Sequence, residues 1–349
     1  MRHVLQIGNR KIGKDCPVFI IAEASVNHGQ KFSKAVSLIK KAKECGVDAV
    51  KFQTFTPDTI TLNADSRYFK IKHSEWGGQT LYNFYKKAYA PLKWFKELKK
   101  VADDSGIIFF STAFDKTAVD LLEGINVPLH KIASFELVDL PLIEYAAKTK
   151  KPLIISTGMG TISEIKDAVN TAKNAGAGDI ILLKCVSHYP AKPGEMNLKT
   201  IPHMKGMFNC PVGLSDHTLG VSVSMAAVSL GADVIEKHFI LSKQNKTPDN
   251  FFSIEPKELK QLAGNIRVIE EALGSVHYGL TSDEKKSRVF RRSLFTVKDI
   301  KKGEVFSEAN VKSIRPSNGL KPKYLKVIIG KKAKRDIKRG IPLSSDMIL

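Results

Sequence analysis

The sequence predicts a (β/α)8 TIM barrel followed by a small β-rich domain. Three observations carry this. Eight short apolar runs alternate with longer amphipathic stretches over roughly the first 280 residues. The runs hold few alternating polar positions, as strands of a parallel sheet covered by helices do. Beyond that point the texture changes to a basic connector and short strand-and-turn phrases. With 349 residues, 43% hydrophobic and 26% charged, the chain can bury a large core and a smaller one, and global disorder is excluded.

The chain opens on HVLQIGNRKIG, a hairpin pattern placed to plug the barrel bottom. The strands are then expected at 18–24, 49–55, 107–114, 130–135, 152–158, 180–186, 211–217 and 234–239. Between them lie helix-like segments such as SKAVSLIKKAKECG, SEIKDAVNTAKNAG and GVSVSMAAVSLGA, several with Gly near their ends. A long insertion, TPDTITLNADSRYFKIKHSEWGGQTLYNFYKKAYAP, follows the second strand. It lengthens a loop on the C-terminal face, where barrel loops bind substrate. The expected division is a barrel over 1–280, a linker over 281–291 and a β-rich domain over 292–349. That last domain carries two similar phrases, KDIKKGEVF and RDIKRGIPL.

The formal net charge is +20. Lysines are scattered over presumed helix faces, without a basic run interleaved with aromatics. The charge therefore reads as solvated surface that can steer an anionic substrate, and no nucleic-acid partner is expected. The four cysteines, Cys16, Cys45, Cys185 and Cys210, have no metal-ligand or redox spacing. A reducing, cytoplasmic setting is the expectation. No apolar run reaches the ~18 residues needed to span a bilayer, so no membrane association is expected.

The chemistry shows at the strand ends. These carry Glu23, Lys51 with Gln53, Ser111 with Thr112, Lys131 with Ser134, Ser156 with Thr157, Lys184 with Ser187, Ser215 with Asp216 and His217, and Glu236 with His238. Ser and Asp in PVGLSDHTLG are also ordinary capping residues. Eight polar ends in succession exceed capping and point to a site on the C-terminal face. His217 and His238 fall on neighbouring strands about 5 Å apart. They can share a divalent ion such as Mn2+, Zn2+, Co2+ or Mg2+, with Asp216 or Glu236 orienting an imidazole. Lys51 and Lys131 lie inside apolar strands, where an ammonium costs several kcal/mol unless compensated. With Thr112, Ser134, Ser156 and the STGMG backbone they suit a cradle for phosphate and carboxylate. A Schiff-base lysine, or a salt bridge to Glu23 or Glu236, are the other readings. Glu23 is either a general base or a structural partner for a lysine. Asn27 and His28 either line the site or shape the first loop.

IIAEASVNHG, AVKFQTFTPD, STAF, KIASFEL, PLIISTGM, GLSDHTLG, VIEKHF and IRPSNG together resemble the sialic acid synthase family over nearly the whole chain. The resemblance implies a barrel joined to an antifreeze-like SAF domain. It implies condensation of phosphoenolpyruvate with an amino-sugar aldehyde to a nonulosonic acid. DTITLNADSRYFKIKHSEWGGQTLYNFYKKAYAP and TPDNFFSIEP point to the branch whose acceptor is 2,4-diacetamido-2,4,6-trideoxy-L-altrose.

By resemblance, His217 and His238 hold the metal, with Mn2+ expected and Mg2+ or Co2+ as alternatives. Lys51, Thr112, Lys131, Ser134, Ser156 and Ser215 bind phosphoenolpyruvate, and Glu23 handles water or protons. Gln53, Tyr189 and Asp249 line the sugar site. Arg315 reaches the partner's barrel in a domain-swapped homodimer. Ser187 in CVSHYP stands where N-acetylneuraminate synthases carry Asn, which argues for a different sugar pocket. The NHGQ loop also departs from the family pattern. An isomeric acceptor of the legionaminic or neuraminic type, and another phosphoenolpyruvate-dependent aldolase-type barrel, remain the alternative substrates and reactions.

Overall fold

The computed structural model describes residues 4–72 and 76–349. His73, Ser74 and Glu75 of the insertion, and Met1 to His3, lie outside the described residues. The chain divides into two compact units, Met1–Gly274 and Ser275–Leu349.

The first unit opens with an antiparallel hairpin, β1 (Val4–Ile7) and β2 (Arg10–Gly13). Eight parallel strands then close into a barrel. They are β3 (Phe19–Glu23), β4 (Ala49–Thr54), β5 (Ile108–Ala113), β6 (His130–Ile132), β7 (Leu153–Ser156), β8 (Ile180–Cys185), β9 (Val212–Asp216) and β10 (Val234–His238). Each expected strand is present, and β10 closes on β3 with His238 paired to Glu23.

The helices between them form because their apolar residues recur on one face. Phe32–Glu44 buries Ala35, Leu38, Ile39 and Ala42, and Ile162–Asn174 buries Ile165, Ala168, Val169 and Ala172. Both sets follow i, i+3, i+4, i+7, the stripe an amphipathic helix turns to a sheet. The second helix starts at a capping box between Thr161 and Glu164. Phe95–Ser105 stops at Gly106, whose φ of 67° suits a residue without Cβ.

The hairpin seals the N-terminal end of the barrel. Leu5, Ile7 and Ile12 are buried in the barrel's core cluster. Arg10 pairs at 3.0 Å with Asp48, which lies just before β4. Asp48 also accepts from Ile20 N at 2.8 Å and meets Arg267 at 3.3 Å. The insertion after β4 forms short helices, Pro57–Ile60 and Leu81–Ala88. Its residues Ile60, Tyr85, Ala88 and Tyr89 pack with Phe55, Val26 and Phe114 in a separate apolar cluster.

In the second unit, β11 (Ser293–Thr296) pairs antiparallel with β12 (Val311–Ile314) over a core that includes Leu294, Ile300, Phe306, Ile337 and Leu343. The two similar phrases meet each other. Ile300 and Ile337 exchange both backbone hydrogen bonds at 2.8 Å. Asp299 pairs with Lys338 at 2.9 Å and Asp336 with Lys301 at 3.1 Å. The repeat is thus a local pseudo-two-fold, each half supplying an acid to the other's lysine.

Candidate active site

Strand alternation sorts the polar strand ends into two sets. One set meets inside the barrel at its C-terminal face. The Lys51 ammonium stands 2.7 Å from Glu23 and 3.7 Å from Glu236, and donates to Thr112 Oγ1 at 2.9 Å. Register explains this convergence: Glu23 pairs with Lys51, and Gln53 with Thr112, which in turn pairs with Lys131. Lys131 donates to Ser156 Oγ at 2.6 Å. Ser215, paired with both Cys185 and Glu236, donates to Glu236 Oε1 at 2.9 Å.

A second line of hydrogen bonds runs from this cluster toward His238. Gln53 donates to Glu23 at 3.1 Å and to Ser25 Oγ at 2.9 Å. Ser25 donates to Asp249 Oδ2 at 2.6 Å, and that oxygen lies 3.3 Å from His238 Nδ1. The His217 and His238 rings are 5.2 Å apart. His217 Nδ1 lies 2.8 Å from Val186 O, and the Tyr189 ring covers His217 at 4.4 Å.

Gly158, in the STGMG turn, receives Ser134: its N–H donates to Ser134 Oγ at 3.1 Å. A Cβ at Gly158 would lie 2.3 Å from Ser187 Oγ and 2.7 Å from Ser134 Oγ. Only glycine lets the turn approach these two hydroxyls so closely. Ser187 Oγ is buried without a hydrogen-bond partner among the described residues, a position that suits a ligand group.

The other set faces away from the barrel interior, so the strand ends converge as expected but not every polar group on them does. Ser111 bonds Thr54 at 2.7 Å. Thr157 and Lys184 line a groove of about 840 Å3 with residues of the helices Ile162–Asn174 and Thr200–Phe208. Asp216, one of the two carboxylates read as able to orient an imidazole, instead pairs with Lys237 at 2.9 Å and accepts from Ser224 at 2.6 Å. Each is one residue out of phase with an inward neighbour, and a strand cannot aim consecutive side chains at the same face. The carboxylate at His238 is Asp249, and Glu236 serves the lysines.

Asn27 and His28 shape the first loop. Asn27 donates to Phe239 O at 3.0 Å and Ser253 Oγ at 2.8 Å. His28 Nδ1 accepts from Gln30 N at 3.0 Å, with its ring 5.7 Å from Trp94. Burial pushes His28 down to about 4. Arg315 belongs to the second unit, where it follows β12 and is exposed.

Three residues of this environment went unmarked in the sequence. Ser25 lies two positions beyond Glu23, the alternation that could have found it. Phe252 packs on His238 at 4.7 Å. Glu136 lies two residues past Ser134, largely buried, with Oε2 unpartnered among the described residues. Burial pushes its carboxyl up to about 7, against the pull of Lys131.

The electrostatics separate the two inner carboxylates. Burial pushes Glu23 up to about 7; Lys51 opposes the rise and Glu236 adds to it. Burial would raise Glu236 too, but Lys131, Lys51 and the Ser215 hydrogen bond hold it at about 2. Glu236 is thus the standing counter-charge to both lysines. Burial lowers Lys131, whereas Glu23 and Glu236 hold Lys51 above its ordinary value despite the same burial.

The imidazoles can hold a metal ion. An Nδ1–H donated to Val186 O in His217, and a His238 Nδ1 turned to the Asp249 carboxylate at 3.3 Å, leave each Nε2 lone pair for coordination. Among the described residues no group of three or more His, Cys, Asp or Glu gathers as a closed metal cage. The pair suits an ion completed by substrate oxygens and water.

Comparisons with known proteins bear on the family. The NeuB family model matches residues 38–278, and the SAF domain model matches 291–349. The chain is 45% identical over 336 residues to a pseudaminic acid synthase of Campylobacter jejuni subsp. jejuni serotype O:2, covering 96% of this chain and 97% of that one. It is 41% identical over 323 residues to an N,N'-diacetyllegionaminic acid synthase of the same bacterium, covering 91% and 96%. Among solved structures, the N-acetylneuraminic acid synthetase of Leptospira borgpetersenii serovar Hardjo-bovis superposes with a TM-score of 0.74 at 33% identity, covering 82% of this chain and 95% of that one. With a barrel matched over 38–278 and a second unit matched over 291–349, the chain belongs to the NeuB family and carries a C-terminal SAF domain.

Proposed function

We propose that this chain condenses phosphoenolpyruvate and water with 2,4-diacetamido-2,4,6-trideoxy-L-altrose, giving pseudaminic acid and inorganic phosphate. The observation that carries the reading is the pair of buried lysines, Lys51 and Lys131, ringed by Thr112, Ser156 and Ser215 beside two imidazoles. The similarity to pseudaminic acid synthases, greater than that to the legionaminic relative, favours the altrose acceptor.

In this reading Lys51, Lys131 and the hydroxyls of Thr112, Ser134, Ser156 and Ser215 bind the phosphate and carboxylate. Gln53, Ser187, Tyr189 and Asp249 face the sugar. Mn2+, with Mg2+ or Co2+ as alternatives, held by His217 and His238 supplies Lewis-acid polarisation of the aldehyde when bound. C3 of phosphoenolpyruvate bonds to the aldehyde carbon, whose oxygen takes up a proton to become a hydroxyl. Positive charge develops at C2, and water adds there while the Glu23 carboxylate takes its proton. The C2–O bond to phosphorus then breaks with its electron pair on phosphate, and the C2 hydroxyl loses its proton to leave a ketone. The lysines stabilise the departing anion.

The reading includes a homodimer in which Arg315 serves the partner's barrel, supported by the likeness of IRPSNG to the family motif. Mixing inactive Lys131→Ala and Arg315→Ala chains should then restore activity, because one barrel of each mixed dimer keeps both residues. It also places the enzyme in the cytoplasm, where phosphoenolpyruvate is made. Among the described residues no helix is long and apolar enough to cross a membrane.

The test is phosphate release from phosphoenolpyruvate and Mn2+ with three acceptors: the altrose, its legionaminic-type isomer and N-acetylmannosamine. Preferential turnover of the altrose supports the assignment. Preference for another acceptor overturns the substrate and keeps the reaction class.

A further inference from the structure

The insertion between β4 and β5 brings one large side chain to the site that the chemistry above does not use. Trp76 packs against Tyr189 at 5.6 Å, Phe251 at 6.3 Å and Phe84 at 5.4 Å between ring centroids. Its indole N–H donates to Pro248 O at 2.9 Å, which fixes the ring's orientation. Tyr189 lies over His217 at 4.4 Å. Phe251 contacts Phe252 at 5.1 Å, and Phe252 contacts His238 at 4.7 Å. A continuous circuit of rings therefore runs from one imidazole out to the insertion and back to the other.

This wall adjoins the imidazole end of the site. Trp76 is only partly buried, and its one N–H is already given to Pro248. The indole thus offers an apolar face and no spare donor. A methyl group set against such a face gains by leaving water. A hydroxyl set there gives up its water without a partner.

We propose that Trp76 is a specificity-determining residue. With Tyr189 and Phe251 it forms an apolar wall selecting an acceptor sugar that presents methyl groups, from a deoxy carbon and from N-acetyl substituents, over one that presents hydroxyls. The inference rests on the condensation reading above and assigns the insertion a role within it. The chemical class selected is an N-acetylated 6-deoxy sugar.

The experiment compares 2,4-diacetamido-2,4,6-trideoxy-L-altrose with its 6-hydroxy counterpart in the parent, Trp76→Ala and Trp76→Phe, each with phosphoenolpyruvate and Mn2+. The parent should prefer the deoxy sugar by ~10–100-fold in kcat/KM, the range one apolar group commands in a hydrophobic pocket. Trp76→Ala should lose most of this preference through the KM of the deoxy sugar, with the KM of phosphoenolpyruvate unchanged. Trp76→Phe should keep much of it. A preference that survives in Trp76→Ala, or equal losses for both sugars and phosphoenolpyruvate, overturns the proposal.

A second readout needs no turnover. Trp76 and Trp94 are the chain's two tryptophans, so a Trp94→Phe background reports Trp76 emission alone. The alditol of the deoxy sugar lacks the aldehyde and cannot condense. Its binding should shift that emission, and phosphoenolpyruvate alone should not. An unshifted emission where calorimetry shows the alditol bound overturns the wall, whatever the enzyme turns over. A shift without phosphate release from any acceptor upholds the wall and sinks the condensation reading.

Discussion

Asp216 and Lys237 form a 2.9 Å ion pair on the outer side of the barrel, each one residue before a site imidazole. Asp216 also accepts from Thr218 N and Oγ1 and from Ser224 Oγ. Lys237 donates to Thr218 O as well. The pair joins β9 to β10 beneath His217 and His238, and both members are almost fully buried. Lys237→Met should destabilise the protein by ~3 kcal/mol, since it leaves Asp216 as a buried charge without its cation. Asp216→Asn with Lys237→Met should recover part of that loss. Thermal denaturation checks the stability. Calorimetric titration of Mn2+ checks the geometry, which should weaken in Lys237→Met. Unchanged stability and affinity would show that the pair holds neither strand.

Glu23 should take up a proton when phosphoenolpyruvate binds near neutral pH. Burial already pushes it up to about 7, and a bound anion close by raises it further. Calorimetry in buffers of differing ionisation enthalpy should show net uptake at pH 7 that disappears in Glu23→Gln. As the base for water, Glu23 works ionised, so kcat/KM should rise with pH through about 7. A flat profile across that range would remove Glu23 from proton transfer.

Gly158→Ala should impair substrate binding without unfolding the chain. The added methyl would stand 2.3 Å from Ser187 Oγ and 2.7 Å from Ser134 Oγ, so both hydroxyls must move. An increase of ~10-fold or more in the KM of phosphoenolpyruvate, with Tm nearly unchanged, is expected from displacing positioned binding groups. A normal KM would mean that the STGMG turn stands apart from the substrate.

Glu136 should make stability fall as pH rises. Its folded-state carboxyl sits at about 7 against an ordinary 4.5. Between these values the native state binds more protons than the unfolded one, so stability is lost going up through the window. Glu136→Gln should remove this residue's share of the slope, leaving that of Glu23, and gain on the order of 3 kcal/mol relative to the parent by pH 8. Chemical denaturation at pH 5 and pH 8 measures it. A parent and variant with parallel pH profiles would refute the assignment.

Much of this protein was legible before folding. Strand positions show in the apolar runs because a parallel sheet covered by helices excludes polar residues along most of each strand. The residues at the C-terminal strand ends show because the barrel gathers them on one face. Lys51 and Lys131 were conspicuous as ammonium groups in apolar strands, and they do lie among the hydroxyls expected around them. Glu236 was legible as a salt-bridge partner for a buried lysine, but its sharing between both lysines depends on distances across the barrel interior.

The sequence by itself determined the barrel, the trailing β-rich unit and the identity of the groups that the barrel's strand ends carry. Only the tertiary structure decided which of those groups share one space. Strand phase separated Lys51 and Ser215 from Lys184 and Asp216, because a side chain one position out of register faces the opposite surface. Chain folding brought Asp249 and Trp76 to the imidazole end from segments far apart in sequence. Local pattern encodes which way a strand runs and what it buries. Contacts between distant loops follow from closure of the barrel, and no local pattern records them.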